Sequence, residues 1–297
     1  MHRINAPITP LEVTSADGTL IRAYLCGTGP HLWLLPPGLG TPLLGWKYLL
    51  EHFADRMTIV TWDPRACYQS RAPERPESLG IPFHVEDGVA VLKAAGWENK
   101  SFVLGGWSMG IQISLELYRR FKPQVQAMVL INGTFEHVLK TAFPYPVIKD
   151  VLPHLVQGVA TASPLFAPIS RHLLGQPWAI SLLKRLGIVT ANRDFFGQVV
   201  SCFRELDFTN YFPMMVQINR HSARDVLPTV NVPTLITAGT MDKMTPMSVS
   251  RFMQERIPGS ELFVVENGTH YTTIEYPDVI NANLTEFFKN KVFRADW

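Results

Sequence analysis

Short apolar runs alternate with helical patterns along the first 133 residues of the chain. Runs at 11–14 and 20–25, joined through Asp17-Gly18, predict a hairpin because Asp-Gly favours the positive φ of a tight turn. The next runs are apolar on both faces, which is typical of parallel strands covered by helices. These runs lie at 32–35, 58–62, 102–104 and 127–131, and helical patterns at about 43–54, 84–95 and 109–121 separate them.

The alternation of apolar runs and helical patterns stops after Gly133 and resumes about a hundred residues later. Strands are predicted there at 234–238 and 262–265, and a last helix at about 278–290. The intervening segment is apolar and helical in pattern, and its prolines predict short helices. The prolines are Pro144, Pro146, Pro153, Pro164, Pro168, Pro177 and Pro213. We predict an α/β fold with a mostly parallel sheet and a helical cap inserted after the sixth strand. The core domain is expected at 1–133 and 231–297, and the cap at 134–230.

Composition narrows the class of protein. The chain has 297 residues, a hydrophobic fraction of 46% and a net charge of +2, so no overall field points to nucleic acid as a partner. We find neither a signal peptide nor an apolar run of about 18 residues that would span a membrane, so we expect a cytoplasmic protein. The three cysteines are far apart and lack C-x-x-C spacing, which argues against a disulfide or a zinc site.

The pentapeptide GWSMG at 106–110 follows the apolar run at 102–104 and opens into a helical pattern. A strand, a sharp turn and a helix with serine at the apex form the arrangement of a nucleophile elbow. The turn strains the backbone at Ser108, and glycines on both sides remove the Cβ atoms that would collide. The sequence therefore indicates Ser108 as a nucleophile.

A serine hydroxyl needs a base that is itself oriented by a third group. His270 lies between the last predicted strand and the last helix, so it should emerge at the same edge of the sheet as Ser108. The strand ending at Ile131 is followed by Asn132-Gly133, which has no carboxylate, whereas Asp242 follows the strand at 234–238. We predict Asp242 as the acid and His270 as the base.

Attack on a carbonyl places negative charge on oxygen, which backbone N–H groups stabilise. The predicted strand at 32–35 runs into PPGLG at 36–40, and we nominate the N–H groups of Leu39 and Met109 as donors. We also expect Trp107, Tyr68 and Phe212 to contact the substrate.

These residues together resemble the capped α/β-hydrolases over nearly the whole chain. DPRACYQS at 63–70 is similar to the D-x-R-G-x-G-x-S loop of that family, and Cys67 matches the form seen in proline iminopeptidases. Two glycines of the family loop are Ala66 and Tyr68 here, and Pro37-Gly38 stands where His-Gly is usual.

The motifs favour a serine hydrolase that cleaves carboxylic esters of rather apolar small molecules through an acyl-enzyme, with no metal or organic cofactor. The loop at 63–70 suggests an alternative, an aminopeptidase-like amidase, for which Glu136, Glu205 and Asp207 are the available groups to hold an amine. Hydrolysis of C–C bonds or lactones uses the same triad and stays open. A ligand-binding protein without catalysis is the remaining hypothesis. The sequence does not indicate an oligomeric state.

Overall fold

A mixed β-sheet forms the centre of the molecule in the computed structural model, which describes residues 3–141, 146–174, 178, 181, 182, 185 and 187–297. Within these residues eight strands form one sheet in the order β1-β2-β4-β3-β5-β6-β7-β8. The strands β1 and β2 pair antiparallel, as do β2 and β4, and the other pairs are parallel. The strands are β1 Ile8–Thr14, β2 Leu20–Cys26, β3 His31–Leu34, β4 Met57–Trp62, β5 Phe102–Trp107, β6 Val125–Ile131, β7 Thr234–Gly239 and β8 Glu261–Val265.

Helices cover both faces of this sheet. The core helices are α1 Lys47–Phe53, α2 Ile81–Ala94, α3 Gly110–Phe121, α8 Met247–Arg256, α9 Thr272–Glu275 and α10 Pro277–Phe287. Shorter 3-10 helices occupy Leu43–Trp46, Pro76–Leu79, Cys202–Glu205, Leu227–Thr229 and Arg294–Asp296, and a π-helical turn occupies Phe288–Val292.

Alternate residues of the central strands belong to two separate apolar clusters. In β6, Met128 and Leu130 pack with side chains of α2, α3 and α8, whereas Val129 and Ile131 pack with side chains of α1 and α10. Successive strand side chains point to opposite faces, so a strand buried on both faces is mostly apolar along its whole length. The burial of every residue of β5 and β7 has this cause.

The helices between β6 and β7 form the cap. They are α4 Val138–Thr141, α5 Pro146–Leu174, α6 Arg193–Ser201 and α7 Phe208–Ile218. The prediction of short helices bounded by prolines is wrong for α5, which has 29 residues and continues through Pro153, Pro164 and Pro168. Proline inside a helix removes one hydrogen bond, and packing of α5 against α7 offsets that loss. Pro144 and Pro177 lie outside the described residues.

Pro146 and Pro213 also lie in helices of the cap. Pro146 is the first residue of α5, where its missing N–H costs no helical hydrogen bond. Pro213 lies inside α7, so the prediction that it bounds a helix is also wrong. No described helix, α5 included, combines the length and the apolar character needed to cross a lipid bilayer.

Candidate active site

Ser108 occupies a strained turn between β5 and α3. Its φ is 58°, in the left-handed region that non-glycine residues adopt only at a cost. Its N–H donates a hydrogen bond to the carbonyl of Ile131 at 3.0 Å. A Cβ on Gly106 would lie 2.4 Å from the Gly110 carbonyl oxygen, and one on Gly110 would lie 2.3 Å from the Pro36 carbonyl oxygen. The two glycines are therefore needed for this turn, as the sequence pattern indicates.

Asp242 and His270 lie in the loops that follow β7 and β8, and both side chains are buried. The His270 Nδ1 is 3.0 Å from the Asp242 Oδ2. The other carboxylate oxygen, Oδ1, accepts hydrogen bonds from the N–H groups of Met244 and Thr245, each at 2.8 Å. The Thr245 hydroxyl donates to Oδ2 at 2.8 Å. The chain thus surrounds this carboxylate with donors.

This environment decides the charge of Asp242. Burial alone raises the pKa of a carboxyl group, but the neighbouring His270 and the donors of Thr245 outweigh burial and lower the pKa of Asp242 below its ordinary value. The carboxylate is therefore ionised at neutral pH and accepts a hydrogen bond from the Nδ1–H of His270. That tautomer leaves Nε2 of the ring free to take a proton.

Asn132, directly after β6, connects the loops that carry Asp242 and His270. Its Nδ2 donates to the Asp242 Oδ2 at 3.3 Å and to the Thr269 carbonyl at 3.1 Å. Its Oδ1 accepts from the hydroxyls of Thr237 at 3.3 Å and Thr272 at 2.5 Å. All four hydrogen-bonding positions of this fully buried amide are used. Sequence reasoning considered position 132 only as a site for a carboxylate and missed this role.

Glu275 connects the loop that carries His270, here called the histidine loop, with the segment before α6. Its Oε2 accepts from the N–H of Thr269 at 2.7 Å and from the Thr269 hydroxyl at 2.9 Å. Its Oε1 accepts from the N–H and the hydroxyl of Thr190, which precedes α6. The carboxylate is almost fully buried. One side chain thus joins the residue next to His270 to the cap.

A cavity of about 240 Å³ lies between the sheet edge and the cap. Ser108 and His270 both border it, and no hydrogen bond joins these two described side chains. Each lining residue is uncharged when His270 is neutral. The lining consists of Leu39, Gly40, Thr41, Pro42, Trp107, Ser108, Met109, Thr134, Val138, Leu139, Leu152, Val156, Val199, Phe203, Tyr211, Met215, Ile218, Met244, Thr245, His270 and Tyr271.

Of the three residues expected to contact substrate, Trp107 borders the cavity, whereas Tyr68 and Phe212 are not among the described residues that line it. The expectation that these two side chains contact substrate stays a prediction. Phe212 packs against Phe208 and Tyr211. Neighbouring residues of a helix point about 100° apart, so Tyr211 faces the cavity and Phe212 turns away from it. The Tyr68 hydroxyl instead donates to the Gly40 carbonyl at 2.6 Å.

The two nominated donors, Leu39 and Met109, both border the cavity. Within the described part of the chain neither N–H donates a hydrogen bond to a protein acceptor. Leu39 lies in a four-residue turn closed by the Thr41 N–H, which donates to the Gly38 carbonyl at 3.2 Å. Gly40, at the third position, has a φ of 65°, as a type II turn requires there.

Trp107 fixes the backbone of the histidine loop from the other side. Its indole Nε1–H donates to the His270 carbonyl at 2.9 Å. Its ring meets those of Trp46 and Tyr271 edge to face. The described residues contain no group of three or more His, Cys, Asp or Glu side chains placed to hold a metal ion.

Comparison with known proteins identifies the class. Residues 32–277 match the family model for the alpha/beta hydrolase fold, so the chain belongs to that family, and the predicted fold is confirmed.

Among its relatives, the chain is 25% identical over 285 residues to serine hydrolase BPHL of Mus musculus, covering 93% of this chain and 87% of that protein. It is 24% identical over 270 residues to proline iminopeptidase of Thermoplasma volcanium, covering 85% and 88%. The solved structure of the esterase EaEST from Exiguobacterium antarcticum is similar with a TM-score of 0.76 at 18% identity, covering 95% of this chain and 100% of that chain, which is a likeness of fold.

Proposed function

We propose that this protein hydrolyses carboxylic esters with an uncharged, apolar acyl or alcohol part. One observation carries the proposal: Ser108 at its strained turn and the Asp242-bound His270 border the same cavity, whose lining has no permanently charged side chain. We assign Ser108 as nucleophile, His270 as general base and Asp242 as the group that orients the imidazole. The N–H groups of Leu39 and Met109 are assigned as the oxyanion donors.

The proposed reaction has two halves. The Nε2 of His270 takes the hydroxyl proton as the Ser108 Oγ attacks the ester carbonyl, and the N–H groups of Leu39 and Met109 stabilise the oxyanion. His270 then gives the proton to the leaving alcohol, and an acyl-enzyme forms. Water attacks this acyl group with His270 again as base, which releases the acid and restores Ser108. Oxyanion donors of this kind contribute about 3–4 kcal/mol each.

The cap shapes the proposed substrate site, and we keep 134–230 as its proposed limits. Each described cap helix contributes to the lining, with Leu139 from α4, Leu152 from α5, Val199 from α6 and Tyr211 from α7. A buried methylene gains about 0.8 kcal/mol, so apolar substrate groups are favoured here over charged ones.

An amidase acting on a free amine is the second candidate, because a proline iminopeptidase is among the relatives. Such an enzyme needs a carboxylate in the site, and none of the three acidic candidates of the cap lines the cavity. Glu136 pairs with Arg224 and Ser222 instead, and Asp207 caps the N-terminus of α7. These contacts favour the ester over the aminoacyl amide.

Labelling with a fluorophosphonate probe tests the nucleophile. We expect one adduct on Ser108 and none in Ser108→Ala, with turnover of p-nitrophenyl esters lost in that variant. Comparing these esters with amino-acid p-nitroanilides separates the two candidates. Turnover of prolyl anilide alone would reverse their order, and labelling that persists in Ser108→Ala would refute the assignment.

A chain-length series of p-nitrophenyl esters, from acetyl to dodecanoyl, tests the apolar cavity. Each added methylene that enters it should raise kcat/KM up to about fourfold until the cavity is full. A steady fall from the acetyl ester onward would contradict the apolar-substrate proposal and leave the triad assignment intact.

A further inference from the structure

Tyr68 has a backbone conformation that normally belongs to glycine. Its φ is 49°, and that of Ala66, two residues earlier, is 60°. Left-handed backbone is unfavourable for a non-glycine residue, because its Cβ approaches the following carbonyl oxygen. A bulky side chain kept in such a conformation needs compensating contacts. The hydrogen bond from the Tyr68 hydroxyl to the Gly40 carbonyl, at 2.6 Å, is such a contact.

This bond is the first of two that lead through consecutive peptide groups to the Leu39 N–H. The Gly40 carbonyl shares its peptide group with the Thr41 N–H, which donates to the Gly38 carbonyl at 3.2 Å. The Gly38 carbonyl in turn shares its peptide group with the Leu39 N–H. Because a peptide group is planar and trans, fixing its carbonyl oxygen also fixes the direction of its N–H. Linked hydrogen bonds also polarise one another.

We propose that Tyr68 is a positioning residue for ester hydrolysis, which orients the Leu39 N–H toward the oxyanion through the Gly40 and Gly38 peptide groups. This inference rests on the proposed function, in which Leu39 supplies an oxyanion donor. Tyr68 is not among the described residues that line the cavity, so it acts through the turn at 38–41 and not by touching substrate.

Two further observations support this role. Burial raises the pKa of Tyr68 above its ordinary value, so the hydroxyl keeps its proton and stays a donor. A Cβ on Gly40 would lie 2.8 Å from the Tyr211 ring, so the turn at 38–41 packs against the cap. The Tyr68 hydroxyl holds the Gly40 carbonyl of the same turn. The orientation of the turn thus depends on a bond that Phe at position 68 would remove.

Tyr68→Phe tests the proposal by steady-state kinetics on a p-nitrophenyl ester. Removing an oxyanion donor costs about 10²–10³ in kcat, and misdirecting one should cost less. We expect kcat to fall about tenfold to a hundredfold, with KM within about twofold of the wild-type value. The inhibition constant of an alkyl boronic acid, whose tetrahedral adduct mimics the oxyanion, should rise by the same factor as kcat falls.

The matched control is Tyr118→Phe, which removes a buried tyrosine hydroxyl that donates to the Asn231 Oδ1 at 2.7 Å, among residues that do not line the cavity. It should leave kcat and boronate inhibition unchanged. Tyr68→Gly relieves the backbone strain and also lacks the hydroxyl, so it should share the kinetic loss, and it keeps the test valid if the Phe variant does not fold.

Wild-type kcat and boronate inhibition in both folded Tyr68 variants would overturn the proposal, even if their melting temperatures fell, because a purely structural role predicts that result. Ester kinetics of Ser108→Ala distinguish failure of the proposed function from failure of this inference. Full ester turnover by Ser108→Ala would overturn the function and this inference together, whereas an inactive Ser108→Ala with fully active Tyr68 variants would overturn only the inference.

Discussion

Replacing Glu275 with glutamine should loosen the connection between the cap and the histidine loop. In the native protein each carboxylate oxygen accepts from backbone N–H and from a hydroxyl. Oε1 accepts from the N–H and hydroxyl of Thr190 and, at 3.4 Å, from the N–H of Ala191, and Oε2 accepts from the N–H and hydroxyl of Thr269. Glutamine has one acceptor oxygen and one NH₂ donor. Whichever way the amide is turned, the NH₂ group faces a backbone N–H of Thr190 or Thr269. A threonine hydroxyl can rotate to accept, but an N–H cannot.

The magnitude follows from this geometry. At least one buried N–H loses a charged acceptor, and hydrogen bonds to charged groups contribute about 1.5–3 kcal/mol. We expect Glu275→Gln to lower the free energy of unfolding by about 2–3 kcal/mol. For a chain of 297 residues a loss of 2 kcal/mol lowers Tm by roughly 3 °C. Thr269 precedes His270, so kcat on a p-nitrophenyl ester should also fall. The fall is about tenfold for each 1.4 kcal/mol by which misplacement of His270 raises the activation free energy.

Urea unfolding, thermal unfolding and ester kinetics on the same preparations measure these effects. Glu261→Gln is the control, because its ion pair with Lys291 is about half exposed and should contribute less than about 0.5 kcal/mol. A Glu275→Gln variant as stable as the control would refute the role of Glu275 in joining the cap to the histidine loop. Loss of stability with unchanged kcat would show that the histidine loop keeps its geometry without Glu275.

Three further predictions concern other buried ionisable residues. Asp242→Asn should lower kcat about 10³–10⁴-fold, because an amide in that place favours the wrong tautomer of His270; the ester assay measures this, and a loss below tenfold would contradict it. Burial, followed by the charge of Arg65, lowers the pKa of His84 well below its ordinary value, so His84 is neutral when folded and the unfolded chain binds the extra proton. Stability should therefore be full above about pH 6.5 and fall by up to about 1.4 kcal/mol per unit below it, and urea unfolding of His84→Gln should show a flatter dependence. Arg65→Met should cost about 3–5 kcal/mol, because it leaves Asp87 buried without its partner at 2.6 Å, and a change below about 1 kcal/mol in urea would refute this.

The positions of the strands could be predicted closely from local pattern. The run at 58–62 became β4 Met57–Trp62, and the run at 234–238 became β7 Thr234–Gly239. Strands buried on both faces are mostly apolar on both, and this pattern is visible directly in the sequence. The hairpin through Asp17-Gly18 formed for an equally local reason, since Gly18 has a φ of 83°.

Contacts between distant segments were beyond sequence reasoning. The Asn132 amide meets Asp242 and Thr272, which are 110 and 140 positions away. An asparagine after a strand resembles many turn residues, and only the packing of three loops against one another makes it a connector. Pro153 and Pro164 likewise predict breaks from local rules, but α5 continues through them because its packing against α7 outweighs the lost hydrogen bonds.

The sequence by itself therefore determined the succession of strands and helices along the chain, the strained turn at Ser108 and the nomination of Asp242 and His270. Each of these depends on neighbours along the chain. Tertiary structure alone decided which side chains border the cavity, turning Tyr211 toward it and Phe212 away. It also directed Tyr68 to the Gly40 carbonyl. These outcomes depend on how separate elements pack and on backbone angles set by distant contacts, and such contacts leave no periodic signal in the sequence.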